Sequence, residues 1–444
     1  MKKGHILENK QRNNNGITRI ISTALLCAIG FLLIIYHISN GETNVVSAGL
    51  NKLYVGIPVI LSVIGFVMSI REKGNNIGKW LGTYWFALVY IVLRLMSCLM
   101  NGLAADPGFW MSLCFEVMFL IAINKATVST TAVRIFLCLI IAFDLIAVSI
   151  CTYHFFFMDD LMITASQAYP EAVQMYLPFT LVFTNPNPAG MLAGISASIC
   201  LLMLRDASKM LKGVLFGGII VNVAFLIWTN SRTAMTGTIL VFAAAIICRF
   251  VKRINYKALL VTVLTICIGF MIPVYVVTLT AGHEDQLTNS KTEVILNDKS
   301  SGRYNLWKEN ILTQKGHYIL GFGTPAKAVS ARSAFVKESE NDEAVSVDLA
   351  HQAIGVRTDL GAHNGYMENI LSAGLPAALL AFAFLFSKIL KMDNGFIKKN
   401  PVILLLVFLF WINVQESRFI VSSVKYTAFL MMLLLNWGDD EKTE

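Results

Sequence analysis

The feature that most limits the fold is the recurrence of apolar runs about as long as a bilayer is thick. A spanning helix needs ~20 mostly apolar residues. The chain holds twelve such runs, near 17–39, 52–70, 80–100, 108–123, 133–153, 188–204, 211–229, 233–250, 257–280, 364–387, 400–417 and 420–437. Of its 444 residues, 56% are hydrophobic and only 14% charged, a balance that excludes an ordinary soluble enzyme. The expectation is an all-α integral membrane protein with about 12 transmembrane helices.

The net charge of +8 is scattered through short connections rather than gathered on one face, so topology explains it better than a nucleic-acid partner does. Alternate connections carry the cations: Arg71, Lys73 and Lys79; Lys125 and Arg134; Arg205, Lys209 and Lys212; Arg249, Lys252, Arg253 and Lys257; then Lys388, Lys391, Lys398 and Lys399. By the positive-inside rule these are cytoplasmic. The intervening connections carry only Lys52, Arg232 and Arg418, and the stretch around Asp159, Asp160 and Glu171 has no cation. Both termini are then cytoplasmic, and the polar "MKKGHILENKQRNNNG" reads as a retained tail, not a cleaved leader. The eight cysteines fall in or beside apolar runs with no CxxC spacing, so neither a disulfide framework nor a zinc site is indicated.

One connection breaks the pattern. The polar stretch between the ninth and tenth runs is roughly 80 residues long, far beyond an ordinary loop, and the topology puts it outside the cytoplasm. It divides the chain into a membrane region at 1–280, an extracytoplasmic loop with short helices at 281–363, and final helices with a cytoplasmic tail at 364–444. Within the loop, Ser300 or Ser301 can cap "GRYNLWKENIL", whose Tyr304, Trp307 and Ile311 share a face suited to the membrane interface. The turn "GFGTPAK" follows, and then "KESENDEAVSVD", which reads as mobile.

On this topology Arg232 in "TNSRTAMTG", Arg303 in "SGRYNLW", His363 in "GAHNGY" and Arg418 in "QESRF" all lie on the outer side. Each has a plain reading: the arginines as lipid-facing, helix-ending or solvated charges, the histidine as a cap. Together they suit a diphosphate, because guanidinium forks bind phosphate oxygens bidentately and keep their charge. Asn185-Pro186-Asn187-Pro188 forms a good turn and helix start, and its amides can also bind sugar hydroxyls. Arg94, Glu116 and Asp144 lie inside apolar runs, where charge must pair or bind something polar. A structural pairing of Arg94 with an acid is the default.

The chain resembles the O-antigen ligase and O-antigen polymerase superfamily. The resemblance runs through "FTNPNPAGMLAG" (183–194), "TNSRTAMTG" (229–237), "SGRYNLWKENI" (301–311) with "GHYILGFG" (316–323), and "HNGYMENILSAGL" (363–375), in that order. It implies a GT-C-like membrane glycosyltransferase at the outer face of the bacterial cytoplasmic membrane, needing no cofactor, metal or nucleotide sugar. Its donor would be an undecaprenyl-diphosphate-linked oligosaccharide, amid membrane lipids and alongside a flippase and a chain-length regulator. By motif position, His363 would be the general base or orienting residue, Arg232 and Arg303 would hold the diphosphate, and Arg418 would join them less firmly. Asn185, Asn187, Asn364, Tyr366, Glu368 and Glu416 are the expected sugar or acceptor contacts. The sequence departs from the pattern at "SRT", where Ser-Arg-Gly or Ser-Arg-Ala is commoner, and this leaves the role of Thr233 open.

Three functions remain: a polymerase joining lipid-linked repeat units into a capsular, O-antigen or exopolysaccharide; a ligase moving a finished glycan to a lipid or protein; and a polysaccharide transporter or flippase. A transporter predicts repeats and broken helices at matching positions, which the sequence does not display. The absence of any stretch marking a dedicated acceptor surface favours the polymerase.

Overall fold

The computed structural model describes residues 2–38, 44–74, 76–157, 183, 186–251, 253–280, 303–342, 362–416 and 425–437. Among these residues the chain is all helical, without a strand. The first part comprises α1 (Lys2–Ile38), α2 (Asn44–Glu72), α3 (Ile77–Met100), α4 (Pro107–Val117) and α5 (Thr130–Phe157). It continues through α6 (Pro186–Met203), α7 (Lys209–Thr229), α8 (Arg232–Phe250), α9 (Tyr256–Gly269) and α10 (Met271–Thr280). Then come α11 (Arg303–Thr313), α12 (Pro325–Asp342), α13 (Gly365–Ala373), α14 (Leu375–Lys391), α15 (Asn394–Lys399), α16 (Leu405–Gln415) and α17 (Tyr426–Asn436).

Helices occupy all twelve apolar runs over their described residues. Six are long and apolar enough to cross a membrane: Gly16–Ile35, Ile77–Met100, Thr130–Phe157, Lys209–Thr229, Arg232–Phe250 and Tyr256–Leu279. Others are shorter. At 1.5 Å per residue, a helix of 11 residues such as α16 or α17 reaches only about half of a ~30 Å hydrocarbon layer. Both are apolar on every side and almost wholly buried, the pattern of helices wrapped by other helices. The long helix α7, by contrast, leaves Met210, Val214, Phe216, Ile220 and Ile227 exposed, a row suited to lipid.

The run at 364–387 is not one helix. It breaks at Gly374, whose φ of +82° is a left-handed value open to glycine, and Pro376 follows in the first turn of α14. The break frees backbone groups that the 318–323 segment takes up: Phe322 N donates to Leu371 O (2.7 Å), Gly323 N to Ser372 O (2.9 Å), and Leu375 N to Tyr318 O (2.8 Å). Backbones approach so closely that a Cβ on Gly374 would stand 2.1 Å from Ile319 O, and one on Gly321 2.5 Å from Leu371 O. Two motifs distant in sequence, "GHYILGFG" and "HNGYMENILSAGL", are thereby clamped together.

The α3–α4 pair fastens to the same break. Arg94 forms a fork on Glu116, Nε to Oε2 at 2.8 Å and Nη2 to Oε1 at 3.0 Å, while Nη1 reaches Ser372 O at 3.0 Å. Both side chains are fully buried, so the expected pairing of an intramembrane arginine with an acid is met. Asp144 is equally buried, on α5. The expected interfacial face of α11 is corrected: Tyr304, Trp307 and Ile311 are buried, and Trp307 and Ile311 pack with Met271, Phe322, Ala362, Met367 and Leu371. The apolar face that suits a membrane interface suits a protein neighbour equally well, and α10 and α13 supply one. The proposed cap at Ser300 or Ser301 lies outside the described residues. The "GFGTPAK" turn leads into α12, with Thr324 Oγ1 accepting from Lys327 N (3.2 Å), and α12 continues through the first part of the acidic stretch to Asp342.

Candidate functional site

The site is built around the carboxyl end of the buried helix α16. There the apolar run gives way to Gln415 and Glu416, with Glu416 in extended backbone conformation and 8% exposed at its side chain. A carboxylate at a helix carboxyl terminus meets the negative end of the helix dipole and needs positive partners. Four other elements bring side chains to the Gln415–Glu416 pair, each at or just before the start of a helix.

From the start of α11, Arg303 points both arms of its guanidinium at the pair: Nη1 donates to Gln415 Oε1 (3.2 Å) and Nη2 to Glu416 Oε1 (3.4 Å). From the first turn of α6, Asn187 Nδ2 donates to the same Glu416 Oε1 at 3.3 Å. From the first turn of α8, Thr233 Oγ1 donates to Gln415 Oε1 at 2.6 Å. From the segment entering α13, His363 Nδ1 lies 3.8 Å from Glu416 Oε2, an ion-pair distance but too long for a hydrogen bond. Helix amino termini carry partial positive charge and point unpaired N–H groups outward, so their convergence favours an anion here.

His363 is held unusually. Its φ is +47°, and the only other described non-glycine residue with positive φ is Asn230, at the α7–α8 turn beside Arg232. Such conformations are uncommon outside glycine and gather at functional sites. The neighbours impose it: Trp307 Nε1 donates to Ala362 O at 3.0 Å just before the histidine, and Asn364 caps α13 just after it, accepting from Met367 N at 2.9 Å. The imidazole remains 31% exposed and Arg303 21%, so both can be reached by a ligand.

Arg303, His363, Asn187 and Glu416 are therefore brought together as the motifs suggested. Arg232 is the first residue of α8, exposed, and one position from Thr233. Arg418 and Asn185 lie outside the described residues. Asn364 and Tyr366 do not fit the expected sugar contacts. Asn364 is wholly buried, its Nδ2 donating to Val414 O at 2.6 Å, and Tyr366 is buried against Phe382 with its hydroxyl on Phe410 O at 2.9 Å. They fasten α13 to α16. Glu368 is also buried, one turn further along. Gln415 is the functional residue that motif reading missed; a polar pair closing an apolar run was the available signal. It also gives Thr233 a role, since Thr233 and Arg303 share its oxygen.

Among the described residues, no group of three or more His, Cys, Asp or Glu stands close enough to hold a metal ion. The positive groups facing Glu416 suit an anion with several oxygens, and the imidazole beside them suits proton transfer. Residues 217–382, which contain Arg232, Arg303 and His363, match the family model described as Wzy_C, O-antigen ligase. No curated protein and no solved structure matches the chain.

Proposed function

We propose that the chain, whose residues 217–382 match the O-antigen ligase family model, is a membrane glycosyltransferase of the O-antigen ligase and polymerase superfamily that transfers a glycan from a polyprenyl diphosphate to a sugar hydroxyl. The donor in this reading is an undecaprenyl-diphosphate-linked repeat unit, and the product is a surface polysaccharide. The observation that carries it is the meeting of Arg303 and His363 at Glu416, ringed by the starts of α6, α8, α11 and α13.

The acceptor oxygen attacks the anomeric carbon from the face opposite the diphosphate, the C1–O bond to the diphosphate breaks, and the configuration inverts. Negative charge grows on the leaving oxygen, where Arg303, the exposed Arg232 and the helix amino termini act on it. The acceptor's proton passes to His363, a contribution of typically ~10²–10⁴-fold. Arginine supplies the charge in this scheme, and no metal is required of it. A GT-C-like arrangement, with both termini cytoplasmic and the Glu416 end outward, is the topology that goes with this chemistry. A flippase would deliver the donor to that face, and a chain-length regulator would act on the product.

Polymerisation is the leading form of the reading, because no sequence stretch marks a separate acceptor surface. The match to a family described as O-antigen ligase favours the second form, transfer of a finished glycan to a lipid or protein acceptor. Full-length protein in detergent, given lipid-linked repeat units from its own host, distinguishes them: a ladder marks a polymerase and a single transferred product a ligase. Arg303→Ala should remove either product while membrane insertion persists, and Arg303→Lys should rescue poorly for want of the bidentate fork. Full activity of Arg303→Ala at low donor concentration refutes the assignment.

A further inference from the structure

We propose that Asp144, Ser196 and Asn222 form a binding site for a single sodium ion inside the helix bundle. The site stands independently of the glycosyl-transfer reading.

The three residues come from the middle stretches of three apolar helices, α5, α6 and α7. On α5, Ile140, Asp144, Ala147 and Cys151 form one buried stripe at helical spacing, so a carboxylate stands where the pattern calls for an apolar side chain. On α6, Ser196 and Cys200 lie one turn apart, as Gly218 and Asn222 do on α7. The two helices pass closely there: a Cβ on Gly218 would lie 3.2 Å from Cys200 Sγ. Ser196 and Asn222 both come up to the Asp144 carboxylate, and the Cys200 thiol is the other titratable group facing it.

All three side chains are fully buried, yet none of their polar atoms closes a hydrogen bond: Asp144 Oδ1 and Oδ2, Ser196 Oγ, and Asn222 Oδ1 and Nδ2. No lysine, arginine or histidine among the described residues pairs with Asp144, in contrast to Arg94 on Glu116. An uncompensated carboxylate in an apolar bundle is costly and must be neutralised. A sodium ion neutralises it and takes Asp144 Oδ1 and Oδ2, Ser196 Oγ and Asn222 Oδ1 together, whereas a proton serves only two oxygens at a time. One carboxylate balances one positive charge, so a divalent ion would leave net charge in the apolar interior. Oxygen donors of this kind suit a hard cation rather than a transition metal. Bound there, the ion ties α5 to α6, whose first turn delivers Asn187 to Glu416, and to α7, which leads through the Asn230 turn to Arg232.

The test is denaturant unfolding of the full-length protein in detergent over a series of sodium chloride concentrations, with choline chloride holding the ionic strength constant. For one site, linkage lowers the unfolding equilibrium constant about tenfold for every tenfold rise in sodium above its dissociation constant. Asp144→Asn should abolish that dependence. In choline chloride alone it should be at least as stable as wild type, because it removes a buried unpaired charge. Ser196→Ala takes away one ligand and should move the sodium dependence to about tenfold higher concentration with its slope intact. Wild-type protein indifferent to the exchange of choline for sodium overturns the proposal, and so does an Asp144→Asn variant that keeps the wild-type response. Where Asp144→Asn does not accumulate in membranes, Ser196→Ala carries the test, and an unshifted sodium curve is the refuting result. Stability that follows pH and not sodium would give the neutralising role to a proton and remove the ion.

Discussion

Replacing Arg94 by alanine strips a fully buried carboxylate of its only bidentate partner among the contacts of Glu116 described above and leaves Ser372 O without its guanidinium donor. Breaking a buried pair from one side costs roughly 3–5 kcal/mol, and an orphaned buried carbonyl adds ~1 kcal/mol or more. The single variant should therefore lose about 4–6 kcal/mol. Removing both partners, as in Arg94→Met with Glu116→Leu, should cost far less, because no buried charge remains; the residual loss is the bond from Ser112 Oγ to Glu116 Oε1 and the bond to Ser372 O, together ~1–3 kcal/mol. The assay is denaturant unfolding of the wild type, Arg94→Met, Glu116→Leu and the double variant in one detergent, arranged as a double-mutant cycle, with Arg94→Ala beside it. A coupling energy of about 4 kcal/mol or more is expected. A double variant as unstable as the sum of the two singles would show that this fork does not fasten α3 and α4 to the α13–α14 break.

Gly374→Ala should destabilise the protein by on the order of 3 kcal/mol, because its left-handed φ is compounded by a Cβ lying 2.1 Å from Ile319 O. Gly102→Ala, with φ +65° but open space around it, should cost only about 1 kcal/mol in the same denaturant-unfolding assay; equal losses would mean that backbone strain alone matters. His363→Ala should lower turnover far more than donor affinity, and His363→Asn, although it tolerates the left-handed backbone, should not restore polymer in membranes of verified expression. Wild-type polymer from His363→Asn would reduce the histidine to a conformational residue.

Helices were legible in the sequence because a bilayer-length apolar run leaves the chain few alternatives. Their lengths in the structure were less so. Residues 400–417 and 420–437 read as full spans, yet α16 and α17 are short and buried. An apolar run records that a helix avoids water and says nothing of whether lipid or protein surrounds it. The same blindness misplaced Tyr304, Trp307 and Ile311 at a membrane interface. At the site, the charged residues were found because charge in an apolar setting is costly and so conspicuous. Asn364 and Tyr366 were read as sugar contacts because helix spacing shows which residues share a face but not which way that face turns, and theirs turns to α16.

Why the polar centre forms at helix ends follows from the same constraint. Within an apolar bundle a charge must be matched side chain for side chain, as Arg94 and Glu116 are. At the start of a helix the backbone itself offers unpaired donors and partial positive charge, so an anion can be held without burying an equal number of cations. Four such starts meet one helix carboxyl end, where Glu416 stands against its own dipole. The carboxylate occupies the place best suited to an incoming anion, and nothing in α16 itself favours it there.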